Sequence, residues 1–512
     1  KQLLISQEFT FLIYDTDFNQ VDRIFSYHSL AFSSPRKSIK IGDDFWVADN
    51  GAGLARFTDN FHADLYRINS PETERVFDTE VLDGKFWFVA GSYSNNYNPT
   101  FFTPIVGQLF EGEWTNYTNQ NHEKLIGVAD IITIAVDPND ANHVFAGSWG
   151  AGLVEIKNGK VSFVYDSSNL AEHSLSPRPE TPSVFVGGLD FDESSNLWIS
   201  NSYSSRLLSV LTAEGEWKSF NFLGQFDQEA DIAELLADSY NNIWMLQHRD
   251  NKIVIYNHAG TPLDLSDDPN VKVLTSGDGQ GNLPGDQIFS IVEDHNGEVW
   301  VGTNEGVAVF YNPSLIFDGN GNFDAQQILI QQDGSTQILF ETESVSALAI
   351  DGANRKWIGT KNAGVFLMSE DGTKEILHFT TDNSPLYSNL IRSISVDDES
   401  GEIYIGTDKG IISYKGTATE GDNSYKDAYV YPNPVREDYT GLITITGLAT
   451  DVNVKITDVS GRLVYETTAF GGQAIWNGKN FGNQKVKTGV YLIFCTDEAG
   501  EYKNVLKLLF IN

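Results

Sequence analysis

One pattern recurs along this chain and leaves few architectures open. An apolar alternating strand runs into an acidic turn ending near Gly or Asn, a second strand carries an aromatic, and a small-residue turn leads into a third strand. The sharpest copy is Ile288 to Tyr311, IFSIVEDHNGEVWVGTNEGVAVFY, followed by VSALAIDGANRKWIGTKNAGVFLM from Val345 and IRSISVDDESGEIYIGTDKGIISY from Ile391. Aligned on the aromatic, these copies put Trp300, Trp357 and Tyr404 in one role, each followed by an aliphatic residue and Gly-Thr. Weaker copies carry Trp46, Trp87, Phe145, Trp198 and Trp244, making eight hairpins spaced about 51 residues apart on average, the period of a four-stranded propeller blade with one long loop.

A small sheet with two apolar faces cannot bury both alone, so neighbours stack radially and close a ring. In such a ring the second-strand aromatic fills the wedge between blades, and Gly-Thr lets backbones crowd where blades converge. The expected fold is all-β: a seven-bladed propeller, with the eighth hairpin either closing the ring or belonging to part of a second propeller. The opening FTFLIYDTDFNQVDRIF has strand pattern without the blade signature, so residues 1–40 read as incoming strands from upstream and 41–416 as the propeller. KGTATEGDNSYKD after Tyr414 is poor in apolar residues, and 417–427 read as a linker. Residues 428–512 alternate again and are expected to form a small immunoglobulin-like sandwich.

Composition narrows the function classes. With 34 Lys plus Arg against 70 Asp plus Glu the formal net charge is −36, so the average surface repels a phosphate backbone and nucleic acid is a poor partner. Cys495 is the single cysteine, which excludes an intrachain disulfide and a cysteine zinc site. No run of 18 apolar residues occurs, so no helical membrane span is expected. The chain begins at Lys1 without an apolar signal core, as a mature or trimmed product would.

Motifs that could carry chemistry are sparse, and no catalytic residue is assigned. His248-Arg249-Asp250 matches a kinase tripeptide but falls in a hairpin turn without kinase context, and the nine His have no ligand spacing. Asp318, Asn320, Asn322 and Asp324 place oxygen side chains at alternate positions, as a calcium loop does. Phe323 stands where the EF-hand loop needs Gly and Leu329 where it needs Glu, so an Asx-rich surface loop is the stronger reading and calcium the sharper one. The long loops expected at a channel mouth are Ser92–Asn119, Ser167–Ser183 and Pro262–Asp286. Within the first, Tyr93, Asn96 and Tyr97 suit stacking and hydrogen bonding to a carbohydrate, though surface turns use the same residues.

The blade text EDHNGEVWVGTNEGV, with the lead-in TTDNSPLYSNLIRSISVDDESG, resembles the two-component-regulator propeller repeat of hybrid sensor ectodomains and other surface propellers. The C-terminal text resembles the type A sorting domain of the type IX secretion system, through Tyr431-Pro432-Asn433-Pro434, Asp458 with Gly461-Arg462, Gly489-Val490-Tyr491 and the terminal strand containing Lys507. A propeller joined to such a tail resembles the PorZ family of the type IX attachment complex. That resemblance implies a non-catalytic protein at the cell surface, exported through the periplasm and associated with the outer membrane. Its implied partners are a PorU-like sortase, PorV-like and PorQ-like outer-membrane proteins, and anionic lipopolysaccharide. The alternatives are a secreted cargo protein, either adhesin or polysaccharide-active enzyme, and the sensor ectodomain of a hybrid two-component system.

Overall fold

Each repeat folds as the antiparallel hairpin that its turn residues dictate. The computed structural model describes the chain apart from residues 1, 8–9, 25–33, 50–52, 58–62, 67, 171–173, 223–229, 249–250, 264–269, 319–321, 333, 422–427, 498–502 and 512. It divides into two compact units, Lys1–Pro71 and Glu72–Asn512.

The first unit holds a three-stranded sheet (Leu3–Gln7, Thr10–Tyr14, Gln20–Ile24) and a four-stranded sheet (Pro35–Ile41, Asp44–Asp49, Gly53–Phe57, Ala63–Tyr66). Phe11, Phe45 and Phe57 pack edge-on and stacked at its centre. Trp46, aligned with the blade aromatics, instead stacks on Tyr66 at 5.6 Å between ring centroids, with Arg56 over its face. Strand alternation explains this, because Phe45 and Val47 take the core-facing positions on either side. The expected propeller start at residue 41 is therefore displaced: the sheet carrying Trp46 belongs to the first unit, and the ring of the second unit begins beyond Pro71.

The second unit contains seven blades among the described residues, spanning 78–118, 131–165, 184–220, 232–274, 288–327, 345–379 and 391–415. Their first strands, Asp78–Leu82, Ile131–Asp137, Val184–Phe191, Ile232–Ala237, Ile288–Glu293, Val345–Ile350 and Ile391–Asp397, touch one another in order, and the seventh touches the first. The ring is thus closed, with the first strands around the axis. Thr79 Oγ1 donates to Ser393 Oγ at 3.1 Å and Phe86 stacks on Tyr404 at 4.2 Å across the closing seam.

Trp300 and Trp357 are fully buried, each in the wedge its register predicts. Trp300 packs on Val345, Ile358, Phe366 and Met368 of the sixth blade, and Trp357 on Ile391, Ile394, Ile403 and Ile405 of the seventh. The acidic turn completes four of the wedges. In Asp192, Asp238, Asp294 and Asp351 one carboxylate oxygen accepts the backbone amides two and four residues on. The other accepts the indole N–H of the tryptophan six residues on, at 2.9, 2.7, 3.2 and 3.3 Å. A buried indole donor is thereby satisfied by the turn that sets its strand. The Gly of Gly-Thr is required by approach: a Cβ on Gly359 would lie 2.5 Å from Ile391 Cγ2 of the next blade.

The C-terminal sandwich pairs a three-stranded sheet (Tyr429–Tyr431, Ile443–Thr446, Gln473–Trp476) with a four-stranded one in the order Leu463–Thr468, Asn453–Asp458, Gly489–Thr496, Lys503–Phe510. Ile445, Val454, Ile456, Trp476, Ile493 and Phe510 form its core, with Cys495 buried beside them. The described part of the expected linker is not a free spacer. Ala418 and Thr419 are buried, and Gly472 N–H donates to Thr419 O at 2.7 Å. Gly471, at φ +54°, comes so close that a Cβ would meet Thr419 O at 1.9 Å and Gly352 O at 2.3 Å, so the sandwich meets the sixth blade and the segment after the seventh backbone to backbone.

Candidate functional site

The ring axis opens at two mouths, and their chemistry is opposite. At the ends of the first strands, Glu80, Asp190, Asp192, Glu193 and Glu293 surround a cavity of about 370 Å³. Here the carboxylates tie blades together: Asp78 accepts the amide of Ile134, Asp190 that of Ala237, and Glu293 the amide and hydroxyl of Ser239. Burial pushes Asp78 up to about 6 and Asp190 up to about 7. Burial, then the charges of Asp78 and Asp190, push Glu80 up to about 8.

The other mouth opens where the first strands begin, into a cavity of about 800 Å³ lined from blades one, four, five, six and seven. Bulges build it. In the first strands of blades five to seven the register skips one residue, Phe289, Ser346 or Arg392, and all three line the cavity. An extra residue in one strand of a pair turns its side chain out of the alternation, here toward the axis. Loops after the second strands supply the rest: Tyr93 and Tyr97 from blade one, His248 from blade four and Lys361 from blade six.

The tyrosine loop is pinned from beneath. Asp130, wholly buried, accepts the amides of Thr100, Phe101 and Phe102 and the hydroxyl of Thr100. Tyr93 then lies 5.1 Å from Tyr97 and 5.5 Å from Trp149 between ring centroids, and Trp149 Nε1 donates to Tyr97 O at 2.8 Å. Tyr97 also meets His248 at 5.6 Å. Burial, and secondarily the Lys361 charge, push His248 down to about 4, while burial and Arg392 bring Lys361 down to about 8.

Among the carbohydrate candidates, the fold therefore brings Tyr93 and Tyr97 into the mouth, whereas Asn96 is exposed and does not line it. The expected loop Ser92–Asn119 is shorter than its sequence suggests, because Ile105–Phe110 and Glu113–Thr118 are the outer strands of blade one. Among the calcium candidates Asn320 lies outside the described residues. Asp324 gives both oxygens to backbone amides, of Gly279 at 2.6 Å and Gly281 at 2.8 Å, and Asn322 Oδ1 accepts the Asp324 amide. No group of three or more His, Cys, Asp or Glu side chains among the described residues is arranged to hold a metal. Phe289 and Arg392 were not picked out from the sequence, since a bulge leaves no mark in strand alternation, and Lys361 sits in an ordinary turn after its strand; His248 was visible only inside the tripeptide.

In the sandwich, the Tyr431–Pro434 segment bends, with both X–Pro bonds cis. Asn433 is its anchor: Nδ2 donates to Lys507 O at 2.8 Å and Oδ1 accepts the Leu509 amide at 3.1 Å. Val435 N–H donates to Leu509 O and Val435 O accepts from Ile511, so the segment covers the edge of the terminal strand. Tyr491 is buried against Trp476 and Phe510, its hydroxyl donating to Lys487 O. Gly461 ends the turn capped by Asp458 at φ +85°, Gly489 opens its strand, and the Lys507 side chain is exposed.

Residues 429–509 match the secretion system C-terminal sorting domain. This chain carries a secretion-system sorting domain. Residues 282–305, around Trp300, match the two component regulator propeller repeat. The chain is similar in structure to PorZ, described as an essential bacterial surface component of the type-IX secretion system of Porphyromonas gingivalis. The match covers the whole of this chain and 69% of that one at 24% identity, with a TM-score of 0.74. A streptogramin B lyase matches 68% of this chain and 94% of its own at 12% identity (TM-score 0.45), and the WD40 propeller domain of Doa1 matches 67% and 93% at 12% identity (TM-score 0.42). No curated protein matches the sequence. No helix among the described residues is long and apolar enough to cross a membrane.

Proposed function

We propose that this protein is a non-catalytic cell-surface component of a type IX secretion system, in which the sandwich directs export and the ring works as a binding scaffold. The observation that carries this reading is the sorting domain at residues 429–509, packed backbone to backbone on a closed seven-bladed ring. The PorZ-like architecture over the whole chain supports it. On this reading the partners are a PorU-like sortase and PorV-like and PorQ-like outer-membrane proteins, and the ligand is anionic lipopolysaccharide. The net charge of −36 makes a diffuse electrostatic hold on that ligand unfavourable, so the contact needs a local cationic site.

Deleting Ala428–Asn512 should leave a folded ring that accumulates in the periplasm, read by fractionation and by protease accessibility of whole cells. A truncated chain reaching the surface at wild-type level would overturn the reading. Loss of the ring itself would show as protease-sensitive fragments, which separates misfolding from failed export.

A further inference from the structure

The cationic mouth holds two positive side chains in an arrangement that costs the empty protein free energy. Lys361 is partly buried, its ammonium lies 3.2 Å from the centroid of the Phe289 ring, and among the described residues no carboxylate pairs with it. The charge that acts on it most is another cation, Arg392, which the bulge turns into the same cavity. Arg75 adds a third positive group to the lining. A desolvated ammonium beside a guanidinium is unfavourable unless an anion sits with them.

The wall carries three cationic side chains against two acids, Glu234 and Asp408. Burial, then the Asp78 charge, hold Glu234 well above the usual carboxylate range, which favours its uncharged form. Asp408 is the other acidic lining residue. His248 is buried, and its Nε2 has no hydrogen-bond partner although it borders the cavity. Unsatisfied polar atoms of this kind at a cavity wall await a ligand or water. Tyr93 and Tyr97 offer aromatic faces, and Ser92, Asn95 and Gln287 offer hydroxyl and amide groups. A cavity of about 800 Å³ with a few convergent polar groups is of ligand-binding size.

We propose that this mouth binds an acidic saccharide, its carboxylate or phosphate held by Lys361 and Arg392 and its ring against Tyr93 and Tyr97. The inference deepens the reading of the protein as a glycan-holding surface component by naming the site and the recognised group. Aromatic faces with hydroxyl and amide groups favour a sugar over an acidic peptide, whose carboxylates would meet the cations without using the rings.

The test is calorimetric titration of the purified full chain with trigalacturonate, glucose 6-phosphate, glucose and tetraglutamate, with intrinsic tryptophan fluorescence as a second signal. Binding of either acidic sugar, with glucose and tetraglutamate at least about tenfold weaker, is expected; which acid binds better separates the carboxylate from the phosphate source. Lys361→Met and Arg392→Gln should each weaken the acidic sugar at least about tenfold. Lys361→Met should also raise the thermal midpoint of the ligand-free protein, because it removes a desolvated charge, and this confirms folding at the same time. No acidic-sugar binding, equal affinity for glucose or tetraglutamate, or unchanged affinity in both variants would overturn the site. Export and surface display of those variants would stay intact in that case, whereas failure of the secretion reading shows in the tail deletion and leaves the sugar titration untouched.

Discussion

The buried pair of Asp294 and Lys356 offers the sharpest test of how the wedges are held together. Lys356 Nζ lies 2.8 Å from Asp294 Oδ2, and neither side chain has any solvent exposure. The same carboxylate accepts the amides of Asn296 and Glu298 and the Trp300 indole, while Lys356 also donates to Asn354 O and lies 4.8 Å from the centroid of the Trp300 ring. Burial lowers the affinity of Lys356 for its proton, and the bond to Asp294 works against that. In Asp294→Asn the ammonium is left buried without its counter-charge, a change that typically costs about 3–5 kcal/mol. In Lys356→Met the carboxylate keeps its three N–H donors, so the loss should be nearer about 1–3 kcal/mol. The double variant has a neutral wedge and should be about as stable as Lys356→Met alone, giving a coupling equal to the whole Asp294→Asn loss, about 3–5 kcal/mol. Thermal unfolding of all four proteins by scanning calorimetry, with matched scan rates, reads the ordering. Additive losses, or an Asp294→Asn variant as stable as the wild type, would refute the claim that this pair joins blades five and six as a unit.

The buried carboxylates of the acidic mouth set a pH dependence of stability. Asp78, Asp190 and Glu80, pushed up to about 6, 7 and 8, bind more protons folded than unfolded, so their contribution is complete below about pH 4 and lost as pH rises through those values. His248, held near 4, works the other way only below about pH 6.5, and Lys361 only above about pH 8. The thermal midpoint should therefore fall between about pH 6.5 and 8, and Glu80→Gln should flatten that slope; a flat wild-type profile would contradict the assignment. Asn433→Ala removes both side-chain bonds to the terminal strand and should destabilise the sandwich by about 1–3 kcal/mol, with faster amide exchange confined to residues 503–510; unchanged exchange there would refute the edge-covering role.

The repeat was legible because it is local chemistry. Turn residues, strand alternation and the aromatic before Gly-Thr all lie within about 25 residues of one another, and the aspartates six residues before Trp198, Trp244, Trp300 and Trp357 stand in the sequence as plainly as the tryptophans they satisfy. The sorting tail was legible for the same reason. The assignment of the Trp46 hairpin to the first unit was not, since which sheet a hairpin stacks on depends on contacts between blades rather than within one. Asp324 shows the same limit. Its spacing from Asp318 suits a cation, yet both of its oxygens are taken by amides more than 40 residues away.

Alternation, turns and period, all properties of short stretches, determined an all-β chain of propeller blades with a sandwich tail, while ring closure at seven blades came from the tertiary contacts. Tertiary structure alone decided the site. Lys361, Arg392, Phe289, His248 and Tyr93 are scattered over some 300 residues of sequence, and they meet because the ring closes and the bulged first strands turn three of its side chains toward the axis. A one-residue slip in strand register reverses which face a side chain takes, and no period in the sequence records where that slip occurs.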